Sequence, residues 1–191
     1  MTLTSDSTLQ DVALAVGAHL TQRGIRAVLT GGACVAIYTG TYVSKDADFV
    51  LQSNVQQRAL DDVLSEPGFE RRVDCCVDPE VPFFIEFPPG PLSIADDLAI
   101  HPIELPGQTA AFGLSATGSC RDRLAAFYHW NDRQALRLAV EIAQKQPVDF
   151  DLIRDWSAGE GMADACDEFL REAAPASRKA SRRRRVKPTP E

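Results

Sequence analysis

Two short stretches of this 191-residue chain carry residue types suited to phosphate and metal chemistry. Leu29-Thr30-Gly31-Gly32 ends an apolar run in a diglycine, and thirteen residues separate it from Asp46-Ala47-Asp48-Phe49-Val50. Side chains alternate faces along a strand, so Asp46 and Asp48 share one face, about 7 Å apart along the backbone. Two carboxylates on one face repel each other unless a cation lies between them. Mg²⁺ (or Mn²⁺) takes oxygen ligands and usually shares its coordination shell with substrate phosphates. Two glycines let the backbone approach a phosphate with no side chain in the way, and a helix N-terminus behind them adds N–H donors.

The flanking pattern supplies elements to position these groups. Leu9, Val12, Ala13, Val16 and Leu20 recur at helical spacing over 7–22, with Gly24 as the stop. Arg26 to Thr30 reads as a buried strand, and Gly31-Gly32 opens a helix of small residues that ends near Gly40. Asp46 to Gln52 is a second core strand. A helix over 55–66 follows, capped by Ser53 or Asn54 and broken by Pro67-Gly68. Phe69 to Val77 and Pro82 to Phe87 read as a hairpin turning at Asp78-Pro79-Glu80, ended by Pro88-Pro89-Gly90-Pro91. Residues 92–118 hold one further strand pair, around Leu98-Ala99-Ile100 and Ile103-Glu104-Leu105. From Ser119 the pattern turns helical, over 119–144, 148–157 and 162–174. The expected fold is α/β (α+β), a mixed sheet with flanking helices and a helical C-terminal half. The division expected is a core over 1–118, a helical region over 119–174 and a disordered basic tail over 175–191.

Charge is unevenly spread. Seven of the 20 basic residues lie between Arg178 and Lys187, leaving 13 basic against 26 acidic residues in 1–177. Such an arm could grip RNA phosphates through salt-sensitive contacts, or fold back on its own acidic body. No apolar run reaches the roughly 20 residues of a membrane span. Residues 1–11 have neither the basic group nor the apolar stretch of a signal peptide. Cys34, Cys75, Cys76, Cys120 and Cys166 lack zinc-site spacing and read as free thiols of a reducing cytoplasm.

The diglycine, the thirteen intervening residues and the Asp-x-Asp strand together resemble the hG[GS]-x(9–13)-Dh[DE]h signature of the nucleotidyltransferase superfamily, the DNA polymerase beta-like fold. The diglycine form is similar to its small bacterial branch, which includes abortive-infection toxin nucleotidyltransferases and antibiotic nucleotidyltransferases. The resemblance implies in-line transfer of a nucleoside monophosphate from a nucleoside triphosphate, with a third carboxylate joining Asp46 and Asp48 around two metal ions. Glu86, in Phe84-Ile85-Glu86-Phe87, is the one acidic residue within an apolar strand after Asp48 and is the candidate. Thr30, Gly31, Gly32, Ser44 and Lys45 are the candidate nucleotide-binding residues. The acceptor implied is RNA, a protein or a small molecule, and the chain could be a toxin–antitoxin component silenced by a cognate antitoxin or other partner protein. The alternative is an inactive nucleotide- or partner-binding module on the same fold.

One departure supports that alternative. Related small members often read Arg-x-Thr-x-Asp-x-Asp, where this chain reads Tyr42-Val43-Ser44-Lys45-Asp46-Ala47-Asp48. A missing arginine removes one bidentate phosphate grip. Residues 120–134 resemble a helix that follows the core in uncharacterised bacterial homologues. Within it Asp122, Arg123 and Arg133 either border the cleft or lie on a packed helix. His129 and Asp132 are expected to pair at i, i+3, and Trp130 and Trp156 to pack between helices.

Overall fold

Thr8 starts the first helix by accepting from the Asp11 backbone N–H while the Asp11 carboxylate accepts from the Thr8 N–H, a reciprocal capping box. The resulting α1 (Leu9–Gln22) buries Leu9, Val12, Ala13, Val16 and Leu20, as their spacing predicts. The computed structural model describes residues 3–107 and 110–174. The tail over 175–191, and the nucleic-acid contact expected of it, lie outside the described residues.

After α1 come β1 (Ala27–Leu29), α2 (Gly31–Thr39), β2 (Asp46–Leu51), α3 (Gln57–Ser65), β3 (Glu70–Arg72), β4 (Cys75–Val77) and β5 (Phe84–Glu86). Then follow β6 (Ile103–Glu104), β7 (Phe112–Gly113), α4 (Ala116–Trp130), α5 (Arg133–Lys145), α6 (Phe150–Gly159) and α7 (Ala163–Ala173). The strands form one mixed sheet in the order β3-β4-β5-β2-β1-β7-β6. At its centre β2 runs antiparallel to β1 and parallel to β5. β1 and β7 are parallel, so α2 and α4, which follow them, leave the sheet from the same end. Tyr38, near the end of α2, donates its hydroxyl to the Leu114 carbonyl at 2.7 Å, tying that helix to the segment that leads into α4.

Several elements depart from the expectation of the sequence. α3 has Gln56 at its cap with no side-chain cap bond, so neither Ser53 nor Asn54 serves. The first arm of the expected hairpin is itself folded back. β3 pairs antiparallel with β4, and the chain reverses around Val73, whose φ is 54°. β4 and β5 make the expected return. Of 92–118 only Ile103–Glu104 and Phe112–Gly113 pair as strands; Leu98-Ala99-Ile100 is loop. The helix expected over 119–144 is two helices. Asn131 ends α4 in the left-handed conformation (φ 53°), and the Asp132 carboxylate caps α5 by accepting from the Gln134 and Ala135 N–H groups. That break separates His129 from Asp132, and His129 instead lies 3.5 Å from the Glu160 carboxylate. Trp130, at the helix end, is 76% exposed rather than packed. Trp156 does pack, stacked on Tyr128 with the Arg121 guanidinium over its ring at 4.7 Å. All five cysteines are free thiols, and Cys76 is buried while its neighbour Cys75 is half-buried, as opposite faces of a strand require. Among the described residues no helix is long and apolar enough to cross a membrane.

Candidate active site

The site is written in strand register. Ala47 of β2 pairs with Ile85 of β5, which pairs with Cys76 of β4, and all three are buried on the core face. Alternation then places Asp46, Asp48, Phe84 and Glu86 on the opposite face. Asp48 stands directly across from Glu86, and Asp46 across from Phe84, on strands about 4.8 Å apart. The structure thus brings together the three carboxylates that the sequence singled out.

Their mutual electrostatics are unfavourable. Burial, then the charges of Asp46 and Glu86, pushes the Asp48 carboxyl up to about 6, against the opposing pull of Arg123. Asp46 accepts a hydrogen bond from the Ser44 hydroxyl. The Asp48 carbonyl accepts from the Thr30 N–H at 2.9 Å and from the Thr30 hydroxyl at 3.4 Å, fixing the end of β1 against the carboxylate strand.

The diglycine is the first turn of α2 and lies against these groups. Gly31 has φ +59°, and a Cβ there would sit 2.3 Å from Asp48 Oδ2. A Cβ on Gly32 would sit 2.8 Å from Ser44 Oγ and 3.2 Å from Tyr42 Cε1. Thr30 makes no side-chain cap bond, which leaves the leading N–H groups of α2 for another acceptor. Lys45 is exposed, and its backbone carbonyl accepts from the Phe84 N–H at 2.8 Å.

The second half of the chain adds one more pair. Arg123 of α4 donates to Asp122 Oδ2 from Nε at 3.1 Å and from Nη2 at 2.6 Å. Burial disfavours its charge, but Asp122, then Tyr42 and Asp48, more than offset that and hold the guanidinium protonated. The charges of Asp122 and Arg123 both act on the Asp48 carboxyl, in opposite directions. Arg133 is engaged elsewhere, paired with Glu168 at 2.7 Å and lying over the Phe127 ring. Phe84 escaped the sequence reading as a site neighbour. Its ring is 40% exposed beside Asp46, and the signal was its position two residues before Glu86 on one strand.

Among the described residues no three His, Cys, Asp or Glu side chains are gathered closely enough to hold a metal ion by themselves. The neighbours of Asp48 across and along the strands are nonetheless carboxylates whose charges raise the cost of ionising Asp48, a set that fits a hard divalent cation. Such an ion takes one or two carboxylates and completes its shell with waters and phosphates.

No protein-family model matches the chain, and no curated protein matches it. Solved structures do. An antigenic nucleotidyltransferase-like protein from Paracoccidioides brasiliensis is similar over 73% of this chain and 77% of its own, with a TM-score of 0.51 and 18% identity. The antibiotic-resistance factor ANT(2'')-Ia is similar over 93% of this chain and 97% of its own, with a TM-score of 0.50 and 14% identity. The chain has a nucleotidyltransferase-like fold: a mixed sheet with flanking helices and a helical C-terminal half.

Proposed function

We propose that this protein is a metal-dependent nucleotidyltransferase that moves a nucleoside monophosphate from a nucleoside triphosphate to an RNA, protein or small-molecule acceptor. One observation carries the reading: Glu86 stands across the sheet from Asp48, with Asp46 on the same face and the diglycine helix start against them. Asp46, Asp48 and Glu86 would hold Mg²⁺ or Mn²⁺, which when bound lowers the pKa of an attacking hydroxyl and offsets phosphate charge. The chain's own groups do the rest. Gly31 and Gly32 admit the phosphates to the backbone, where the leading N–H groups of α2 bind them. The Thr30 bonds hold Asp48 in place, the Ser44 hydroxyl orients Asp46, and Lys45 offers a cation at the rim. With its carboxyl at about 6, Asp48 is ionised above neutral pH and free to act as a ligand. A toxin role restrained by an antitoxin, and an RNA acceptor recruited by Arg178–Lys187, rest on the sequence alone.

Tyr42 favours a second reading, an inactive nucleotide-binding module, because it stands over Gly32 in the place of an arginine. Incubation with Mg²⁺, each labelled nucleoside triphosphate and candidate acceptors separates the two. Label transfer that disappears in the Asp46→Asn/Asp48→Asn variant is expected of the enzyme. Saturable nucleotide binding without transfer is expected of the module, and transfer retained in the double variant refutes the proposed site.

A further inference from the structure

The chain runs from α2 to β2 with little backbone support. Residues 40–45 form no regular structure, and Thr41, Val43 and Lys45 are exposed. The Gly40 N–H donates to the Ala36 carbonyl at 2.8 Å as α2 ends, and the Lys45 carbonyl accepts from the Phe84 N–H at 2.8 Å as β2 begins. Among the described residues, the N–H groups of Thr41 and Tyr42 reach only the Thr39 hydroxyl, at 3.5 and 3.4 Å. This stretch nonetheless carries Ser44, bonded to Asp46, and Tyr42, whose Cε1 lies 3.2 Å from where a Cβ on Gly32 would sit. Holding such a segment in one conformation costs backbone entropy at every residue, and contacts from elsewhere must offset it.

The second half of α5 provides them. Thr41 donates its hydroxyl to Glu141 Oε1. Lys145, one turn further on, donates to that same oxygen at 2.7 Å, to Thr41 Oγ1 at 3.4 Å and to the Thr39 carbonyl at 2.6 Å. Gln146 Nε2 donates to the Tyr38 carbonyl at 2.9 Å. The Tyr38 and Thr39 carbonyls are among the last of α2, which find no partner inside their own helix. Lys145 and Gln146 thus close the end of α2, and Glu141 fixes the chain just beyond it. Glu141 lies about 13 Å along α5 from the Asp132 cap, so the two ends of that helix act separately.

We propose that Glu141 and Lys145 are positioning residues for the nucleotide: through Thr41 they hold Tyr42 and Ser44 against Gly32 and Asp46, and so set the affinity for the triphosphate. The inference rests on the nucleotidyl-transfer reading and extends its site into the helical half of the chain. Thr41 precedes Tyr42 directly and Ser44 by three residues, so a slip at Thr41 is passed to the ring and the hydroxyl that flank the first turn of α2. Displacements of that kind weaken a site whose own groups are untouched.

Triphosphate affinity is the test, because it needs no turnover. The full chain in Mg²⁺ is titrated calorimetrically with a non-hydrolysable nucleoside triphosphate. Thr41→Val, Glu141→Ala and Lys145→Met are each expected to weaken binding by about 3- to 10-fold, the loss of one partly exposed hydrogen bond. Thr41→Val and Glu141→Ala combined should lose no more than about twofold beyond the larger single effect, since both remove the same bond. Thr41→Ser keeps the hydroxyl and should bind within about twofold of the parent. Glu168→Ala, which breaks the Arg133 pair at the other end of α5, should bind as the parent does. Every variant should melt within about 4 °C of the parent, as the loss of surface contacts implies. Unweakened binding in any of the first three variants, additive losses in the double variant, a loss in Thr41→Ser, or an equal loss in Glu168→Ala overturns the proposal. A parent whose triphosphate binding depends on these residues but which transfers nothing would sink the activity and leave the positioning role standing. A parent that binds no triphosphate overturns both.

Discussion

Gly31 offers the sharpest test of how the backbone shapes the site. Replacing it with alanine has two separable costs. The first is conformational: an L-residue held at φ +59° costs about 1–2 kcal/mol, partly offset by the stiffer unfolded chain. The second is local, because the new Cβ would lie 2.3 Å from Asp48 Oδ2 and the carboxylate must retreat by about 1 Å to reach ordinary contact. A misplacement of that size costs about 100-fold in rate. Gly24 isolates the first cost, since its φ is +76° and a Cβ there meets nothing within 4 Å. Gly24→Ala and Gly31→Ala should therefore both melt roughly 2–8 °C below the parent, as about 1–2 kcal/mol implies for a chain of this length. Only Gly31→Ala should lose nucleotidyl transfer, by about 100-fold at saturating Mg²⁺. Melting curves and initial rates on the two variants decide it. Parental rates in Gly31→Ala, or an equal loss in Gly24→Ala, would refute the reasoning.

The elevated Asp48 acid makes stability depend on pH in a set direction. The folded chain holds this proton more tightly than the unfolded one, so Asp48 weakens the fold as pH rises from about 4 through about 6. Asp48→Asn, melted without divalent cations, should then exceed the parent at pH 8, with the gap closing toward pH 4; a constant gap contradicts the assignment. Asp132→Ala removes the cap that accepts from two α5 N–H groups and should cost about 1 kcal/mol, lowering the melting point by about 2–4 °C. Its transfer rate should stay parental, and a lost rate would mean α5 shapes the site more directly than its capping contact suggests.

Most of the central sheet was legible because its signals are local. Diglycine, strand period and Asp-x-Asp spacing placed β1, α2 and β2 to within about a residue or two, and Glu86 stood out as a carboxylate in an apolar run. What was illegible depended on partners distant in the chain. The stretch 69–77 has continuous strand-like composition, and only the antiparallel pairing of its own halves, β3 with β4, shows that it folds back at Val73. The periodicity over 119–144 continues through Asn131, whose left-handed backbone is a single-residue event that an apolar pattern does not register. Arg123 and Arg133 could not be told apart in the sequence, because the break at Asn131 that puts them on separate helices, with Arg133 paired to Glu168, leaves no mark in the pattern. Tyr42 read only as the absence of arginine, and its contact with Gly32 became visible in three dimensions.

The two faces of β2, β5 and β4 answer to different demands. Ala47, Ile85 and Cys76 anchor the strands from beneath, while the carboxylates above them bury no apolar area of their own and repel one another. Selection can therefore edit the reactive face one letter at a time without threatening the scaffold. Loss or change of chemistry is a short mutational walk from this sequence, and a descendant stripped of its carboxylates would be expected to fold at least as well as its ancestor.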